Sequence, residues 1–119
     1  MVIYIAGPYT AQEGKSVAQN IMAAEAVGKE VALLGHTPLI PHMNTAHWEQ
    51  DDRFKSWTPE EIIERLCKPL IAKSDAILMM DGWAGSKGAK IEFEFVLGRS
   101  NIAIFHGLNQ LKSQCGVAL

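Results

Sequence analysis

The sequence predicts one α/β domain, a three-layer sandwich with a four- to five-stranded parallel sheet between two layers of helices. Three observations predict it. Short runs that are almost wholly apolar (residues 2–6, 76–80 and 102–105) suit strands buried on both faces, as in a parallel sheet. Segments with helical apolar spacing lie between them, and such alternation favours right-handed β-α-β crossovers. The chain has 119 residues, 48% of them apolar, which is the length of a single domain with enough apolar material for a core.

Taken in order, Val2-Ile3-Tyr4-Ile5-Ala6 is the first strand. Val17, Ile21, Ala24, Val27, Val31 and Leu34 then recur at spacings of three and four, an apolar stripe along a helix. Gly35 follows, where a left-handed residue commonly closes a helix. Residues 37–40 form a further strand, and Pro38 argues for an edge position because proline cannot donate to the ladder. A polar connection over residues 41–57 comes next, and loops this long in a compact domain are usually functional or mobile. Thr58-Pro59-Glu60-Glu61 starts a helix: Thr58 caps it, Pro59 suits the first position and Glu61 completes a capping box. That helix turns Ile62, Ile63 and Leu66 to the core, and Pro69 kinks it or begins a separate last turn. Ser86 opens a helix running through Ile91, Phe95 and Val96 to Gly98. Glu92-Phe93-Glu94-Phe95 alternates like a strand, but Ala89, Lys90 and Leu97 extend it as a helix. The tail, residues 108–119, has apolar residues without a clear period and packs on the core or on a neighbouring subunit.

Composition excludes several classes of function. Eleven Lys+Arg against thirteen Asp+Glu give a formal charge of −2, no footprint for duplex nucleic acid. No run approaches the roughly 18 apolar residues of a membrane span. The N-terminus enters a strand without the basic region of a secretory signal. Two cysteines, Cys67 and Cys115, are too few for a disulfide scaffold, so a reducing cytoplasm is the simplest location.

Open α/β sheets bind ligands beyond the carboxyl ends of their strands. Gly7-Pro8-Tyr9-Thr10 follows the first strand, Pro41-His42-Met43-Asn44 the second, and Asp81-Gly82-Trp83 the third, so these segments should meet at one rim. Gly7-Pro8 is a tight turn that admits a ligand to the backbone, or a turn and nothing more. Ser86-Lys87-Gly88-Ala89 is a helix start whose free N–H groups favour a phosphate or carboxylate. Ser86 adds a hydroxyl there and Gly88 leaves space, although capping alone also explains Ser86. Neither Walker nor dinucleotide glycine spacing is present, and no cofactor is implied. Glu92 lies one turn after Gly88 on the same helix face, so its carboxylate points over the rim, while Glu94 faces outward. Tyr4, near the end of the first strand, can reach that carboxylate with its hydroxyl or simply pack. The 41–57 connection carries His42, His47, Trp48, Asp51, Asp52 and Trp57, whose spacing matches no zinc pattern, so no metal is implied. Its tryptophans stack on a base or pin the loop to the core. Cys67 reads as a buried thiol.

Several of these pieces occur together in a known order: Ile3-Tyr4-Ile5-Ala6-Gly7-Pro8-Tyr9, Gly35-His36-Thr37-Pro38 with Pro41-His42, Ser74-Asp75-Ala76-Ile77, Asp81-Gly82-Trp83, and Ser86-Lys87-Gly88-Ala89 with Glu92. In that order the chain resembles the nucleoside 2-deoxyribosyltransferase-like superfamily, with its small DUF4406-type branch as the nearest likeness and a flavodoxin/Rossmann-like sheet as the expected fold. The resemblance implies an enzyme that breaks or exchanges N-glycosidic bonds. It implies that Glu92 attacks the anomeric carbon to give a covalent glycosyl-enzyme, which water or another base resolves. Tyr4 would orient Glu92, and Ser86 fits the branch that binds a 5′-phosphate. Gly7 and Pro8 would line the pocket, with Tyr9, His42, Asp81, Trp83 and Gly88 completing the substrate-binding set. The aromatic loop would cover the base, and assembly as a homo-oligomer, a dimer or larger, is implied.

One position departs from the pattern. The superfamily's second acid lies eight residues before the Ser-Asp or Cys-Asp pair, and eight before Asp75 is Cys67. Glu64, Asp51 and Asp52 are nearby carboxylates without a motif match. General acid–base help contributes about 10²–10⁴-fold, so its loss leaves a slow enzyme or only a binder. The expectation is therefore cleavage of a nucleoside 5′-monophosphate or deoxynucleoside, by hydrolysis rather than base exchange. The alternative is a non-catalytic nucleotide-binding module on the same fold.

Overall fold

The structure is a computed structural model describing residues 1–12 and 14–116. Four strands, β1 (Val2–Ala6), β2 (Thr37–Leu39), β3 (Ala76–Met79) and β4 (Ala103–His106), form an all-parallel sheet in the order β2-β1-β3-β4. Register places Ile5 beside Leu78, and Leu78 beside Phe105. The expected three-layer arrangement is present, with four strands among the described residues. β2 is an edge strand, where Pro38 leaves no central ladder bond unmade.

Alternation along the strands splits the core in two. Tyr4, Ala6, Ile77 and Met79 pack beneath one helical layer with Ile63, Cys67, Ile71, Ala89 and Val96. Ile3, Ile5, Leu78 and Phe105 pack on the other face with Ala24, Val31 and Leu111. Both faces are therefore dry, which is why β1 and β3 tolerate continuous apolar runs.

The helices follow their local signals. α1 (Val17–Leu33) begins at a Ser16–Gln19 capping box and ends before Gly35, whose φ is +92°. Its buried row is Asn20, Ala24, Gly28 and Val31, rotated from the expected stripe, because two polar or small residues make the closest approach. A side chain at Gly28 would run into Ile40. Pro41–Asn44 forms α2, with Ile40 as its N-cap residue instead of the last residue of β2.

Residues 41–57 are not an open polar loop. After α2 the chain makes two single helical turns, Trp48–Gln50 and Asp52–Phe54. Thr58 then caps α3 (Pro59–Ile62) through the expected capping box with Glu61. The helix widens into a π turn over Ile63–Cys67 and resumes as α4 (Lys68–Ala72). Pro69 causes this break: it has no N–H to give the carbonyl one turn back. α5 (Lys87–Leu97) starts from Ser86, whose hydroxyl accepts from the Ala89 N–H at 3.2 Å. β4 sits one residue later than the apolar run suggested, with Ile102 in the turn before it.

The tail begins with α6 (Leu108–Leu111), which buries Leu111 fully against the β1–β3–β4 face. The first turn of the tail therefore packs on the core, while Lys112, Ser113 and Gln114 are exposed; residues 117–119 lie outside the described residues. Among the described residues no helix is long and apolar enough to cross a membrane.

Candidate active site

The turn after β1, the start of α5, the 41–57 segment and the helix that follows it enclose a cleft of about 660 Å³. Glu92 forms its floor. The side chain projects from the second turn of α5 toward the sheet and is only 6% exposed. The Tyr4 hydroxyl, fully buried in β1, donates to Glu92 Oε2. A strand and a helix 88 residues apart in sequence thus place one buried donor on one buried carboxylate.

Burial dominates the electrostatics of this pair. It pushes the Glu92 carboxyl up to about 7, against the opposing hydrogen bonds from Tyr4 and Cys67. Burial, then the neighbouring Glu92 charge, also raises Tyr4, so its hydroxyl stays protonated and serves as a donor. Cys67 stands against both groups from the π turn of the α3–α4 helix. Burial pushes its thiol up to about 11, so it too is protonated at neutral pH. The cysteine is a core residue and a cleft residue at once.

One wall is the α5 start. Ser86 is buried and Gly88 borders the cleft, and a Cβ at Gly88 would meet Ile63 Cδ1 at 3.1 Å. Lys87 reaches across to Glu60 at 2.9 Å. The opposite wall is the β1 turn. Gly7 lies so close to the sheet that a Cβ would stand 2.6 Å from Met80 Sδ and 2.9 Å from its Cβ. Asn20 holds this turn by donating to the carbonyls of Tyr9 and Thr10, both at 3.1 Å.

His42 is buried at the same wall, its ring tilted against Tyr9 with centroids 5.7 Å apart. Its Nε2 lies 2.8 Å from the Pro8 carbonyl, which can only accept, so Nε2 carries the proton. Burial lowers its pKa, with the Pro8 and Gly7 carbonyls opposing, and the ring is mainly neutral at pH 7. Nδ1 is then a buried acceptor without a partner among the described residues.

The roof is aromatic. Trp48, Phe54 and Trp57 pack in series, with ring centroids 4.8 Å and 5.2 Å apart. The Arg65 guanidinium lies 4.2 Å over the Trp57 ring and fixes the roof to the π turn. Tyr9 donates to Glu49 at 3.3 Å, and Gln12 donates to the Gly85 carbonyl at 3.2 Å across the cleft's other side.

A family model described as "Domain of unknown function (DUF4406)" matches residues 1–104. The chain belongs to that family. No curated protein and no solved structure matches it.

In this DUF4406 domain the expected site residues fall into two groups. Tyr4 and Glu92 meet, and Gly7, Tyr9, His42, Ser86 and Gly88 border the cleft with Glu92. Pro8 contributes its carbonyl to His42 and does not itself line the cleft. Asp81 and Trp83 do not border it either. β3 ends at Met79, Gly82 turns the chain at φ +84°, and Trp83 packs instead on Phe93 (4.6 Å) and His106 (6.2 Å) toward β4. Asp81 is exposed. The nearby carboxylates are committed elsewhere: Glu64 to Lys68, Asp51 to Arg53 and Asp52 to Lys55. Among the described residues no three metal-ligating side chains converge.

Asn20, Gln12 and Phe54 also build the site, although the sequence pattern does not single them out. Asn20 carried a signal, a polar residue in register with the apolar row of α1. Gln12 and Phe54 carried none, since their partners are set by the tertiary fold.

Proposed function

We propose that this domain is a member of the nucleoside 2-deoxyribosyltransferase-like superfamily that cleaves the N-glycosidic bond of a nucleoside 5′-monophosphate or deoxynucleoside. The observation that carries the reading is Glu92 at the floor of the cleft, held from within the core by the buried Tyr4 hydroxyl. A carboxylate placed there can attack C1′, breaking the C1′–N bond and sending its electron pair to the base. Water then adds to C1′ and frees the Glu92 carboxylate, so the net reaction is hydrolysis. Tyr4 fixes the attacking oxygen and disperses its charge. The α5 start at Ser86 offers backbone N–H groups to a 5′-phosphate, and the roof of Trp48, Phe54 and Trp57 offers flat surfaces to a base. A cytoplasmic location and assembly as a homo-oligomer belong to the same reading.

A raised Glu92 suits this chemistry near neutrality. Burial raises the Glu92 carboxyl to about 7, so its ionised form is accessible near neutrality, and a carboxylate stripped of water is a stronger nucleophile than a solvated one.

The second reading is a nucleotide-binding module without turnover. One observation favours it: the third group at the floor is the Cys67 thiol, pushed up to about 11 by burial and so a far weaker acid toward a departing base than a carboxylic acid would be. Incubation with deoxynucleotides, ribonucleotides and nucleosides, followed by chromatography for free base, separates the two. Base release that Glu92→Gln abolishes supports the enzyme. Tight nucleotide binding with no release across the panel supports the module and overturns the enzyme.

A further inference from the structure

The floor of the cleft poses a chemical problem that narrows the substrate. A neutral purine or pyrimidine leaves C1′ as an anion unless a proton is delivered to it as the bond breaks. The group beside Tyr4 and Glu92 is a thiol, and Tyr4 spends its proton on Glu92. The other two carboxylates lining the cleft, among the described residues, stand exposed at its mouth. Glu49 accepts from Tyr9, and Glu60 is paired with Lys87. A base that already carries a positive charge has no such need. When its glycosidic bond breaks, the electron pair neutralises the ring and the base departs uncharged.

The roof points to the same ligand. Trp48, Phe54 and Trp57 line the cleft above Glu92, and indole faces attract cations. Trp57 already holds one cation, the Arg65 guanidinium at 4.2 Å. The lysines that border the cleft are neutralised, Lys55 by Asp52 at 2.6 Å and Lys87 by Glu60 at 2.9 Å. The cleft thus sets aromatic faces opposite an acidic floor, with no uncompensated lysine among the described residues lining it.

We propose that the preferred substrates are nucleotides whose base is a quaternised, positively charged heterocycle, such as a pyridinium or an N7-alkylated purine. This rests on the N-glycosidase reading and names its substrate class. The step balances without a proton donor. Glu92 Oε bonds to C1′, the C1′–N pair returns to the ring nitrogen, and the neutral base leaves. Water then replaces Glu92 on C1′ and its proton passes to solvent.

The test compares kcat/KM for base release by the wild-type protein from two cationic probes, nicotinamide mononucleotide and N7-methylguanosine 5′-monophosphate, with that from AMP, CMP and their deoxy forms. Each rate is corrected for release without protein. The cationic probes should be cleaved at least about 10²-fold faster, the low end of what a missing general acid costs. Cys67→Asp should narrow that ratio by speeding the neutral nucleotides. Binding to Glu92→Gln protein gives a readout independent of turnover and of the cysteine variant. Nicotinamide mononucleotide should bind about threefold or more tighter than its reduced, uncharged form, a difference expected of one cation–π contact. Equal cleavage of neutral and cationic nucleotides overturns the substrate class and leaves the N-glycosidase reading standing. Release from no probe at all overturns both.

Discussion

The floor and the roof of the cleft are built on opposite principles. Tyr4 and Glu92 sit on a central strand and on α5, both rooted in the core, and neither can move without unpacking it. The roof over residues 41–57 is a chain of short helical turns held by three aromatic rings and one guanidinium, largely at the surface. The floor stores an electrostatic cost to keep one carboxylate poised, whereas the roof supplies shape and aromatic surface at little cost in stability. In the proposed reaction the floor would carry the chemistry and the roof the fit to the ligand.

Substitutions should separate the two, beginning with the largest effect. Glu92→Gln should lower base release by at least about 10³-fold, as loss of a nucleophile does. It should leave the fold intact, read by circular dichroism. The same substitution should change the pH dependence of stability. The Glu92 pKa in the folded protein, about 7, lies above its ordinary value of 4.5, so the folded state binds the proton more tightly. That contribution is complete below about pH 4.5 and is lost as pH rises through 7, a fall of about 3 kcal/mol at roughly 1.4 kcal/mol per unit. Urea melts of wild type should show this decline, and Glu92→Gln should flatten it and gain stability at pH 8.

Gly7→Ala comes next. Its Cβ meets Met80 Cβ at 2.9 Å, an atom fixed to the backbone, so the β1-turn wall must shift at a cost of about 1–3 kcal/mol. Ser86→Ala removes the cap on α5 and should cost about 1 kcal/mol in thermal melts. Arg65→Ala should act on the roof alone. It loses one cation–π contact, about 0.5–1 kcal/mol, and should raise KM more than it lowers kcat. Were Arg65→Ala to lower kcat as far as Glu92→Gln does, the division between floor and roof would be wrong.

The same contrast explains what could be read from the sequence. The floor was legible because its signals are local: the β1 run places Tyr4, and Ser86, Gly88 and Glu92 follow the turn of one helix. The capping box at Thr58 and the turn at Gly35 are local in the same way. The roof was legible only as a list of residue types, since packing among Trp48, Phe54 and Trp57 depends on three rings meeting in space. Trp83 shows the limit from the other side. It follows β3 like the rest of the rim, yet one left-handed residue at Gly82 sends it toward His106. Cys67 looked like a core thiol and is one, and its place eight residues before Asp75 also marked it as a site position by resemblance; the π turn over Ile63–Cys67 is where it stands beside Glu92.

The central claim is that Glu92 bonds to the sugar. The direct measurement is peptide mass spectrometry after incubation with a 2′-fluoro-arabinosyl nucleoside 5′-monophosphate, whose fluorine slows release of a glycosyl-enzyme. The account predicts the mass of the fluorosugar phosphate on the peptide containing Glu92, and its absence from Glu92→Gln. Base release by the wild-type protein with no adduct on Glu92, or an adduct that persists in Glu92→Gln, would contradict it.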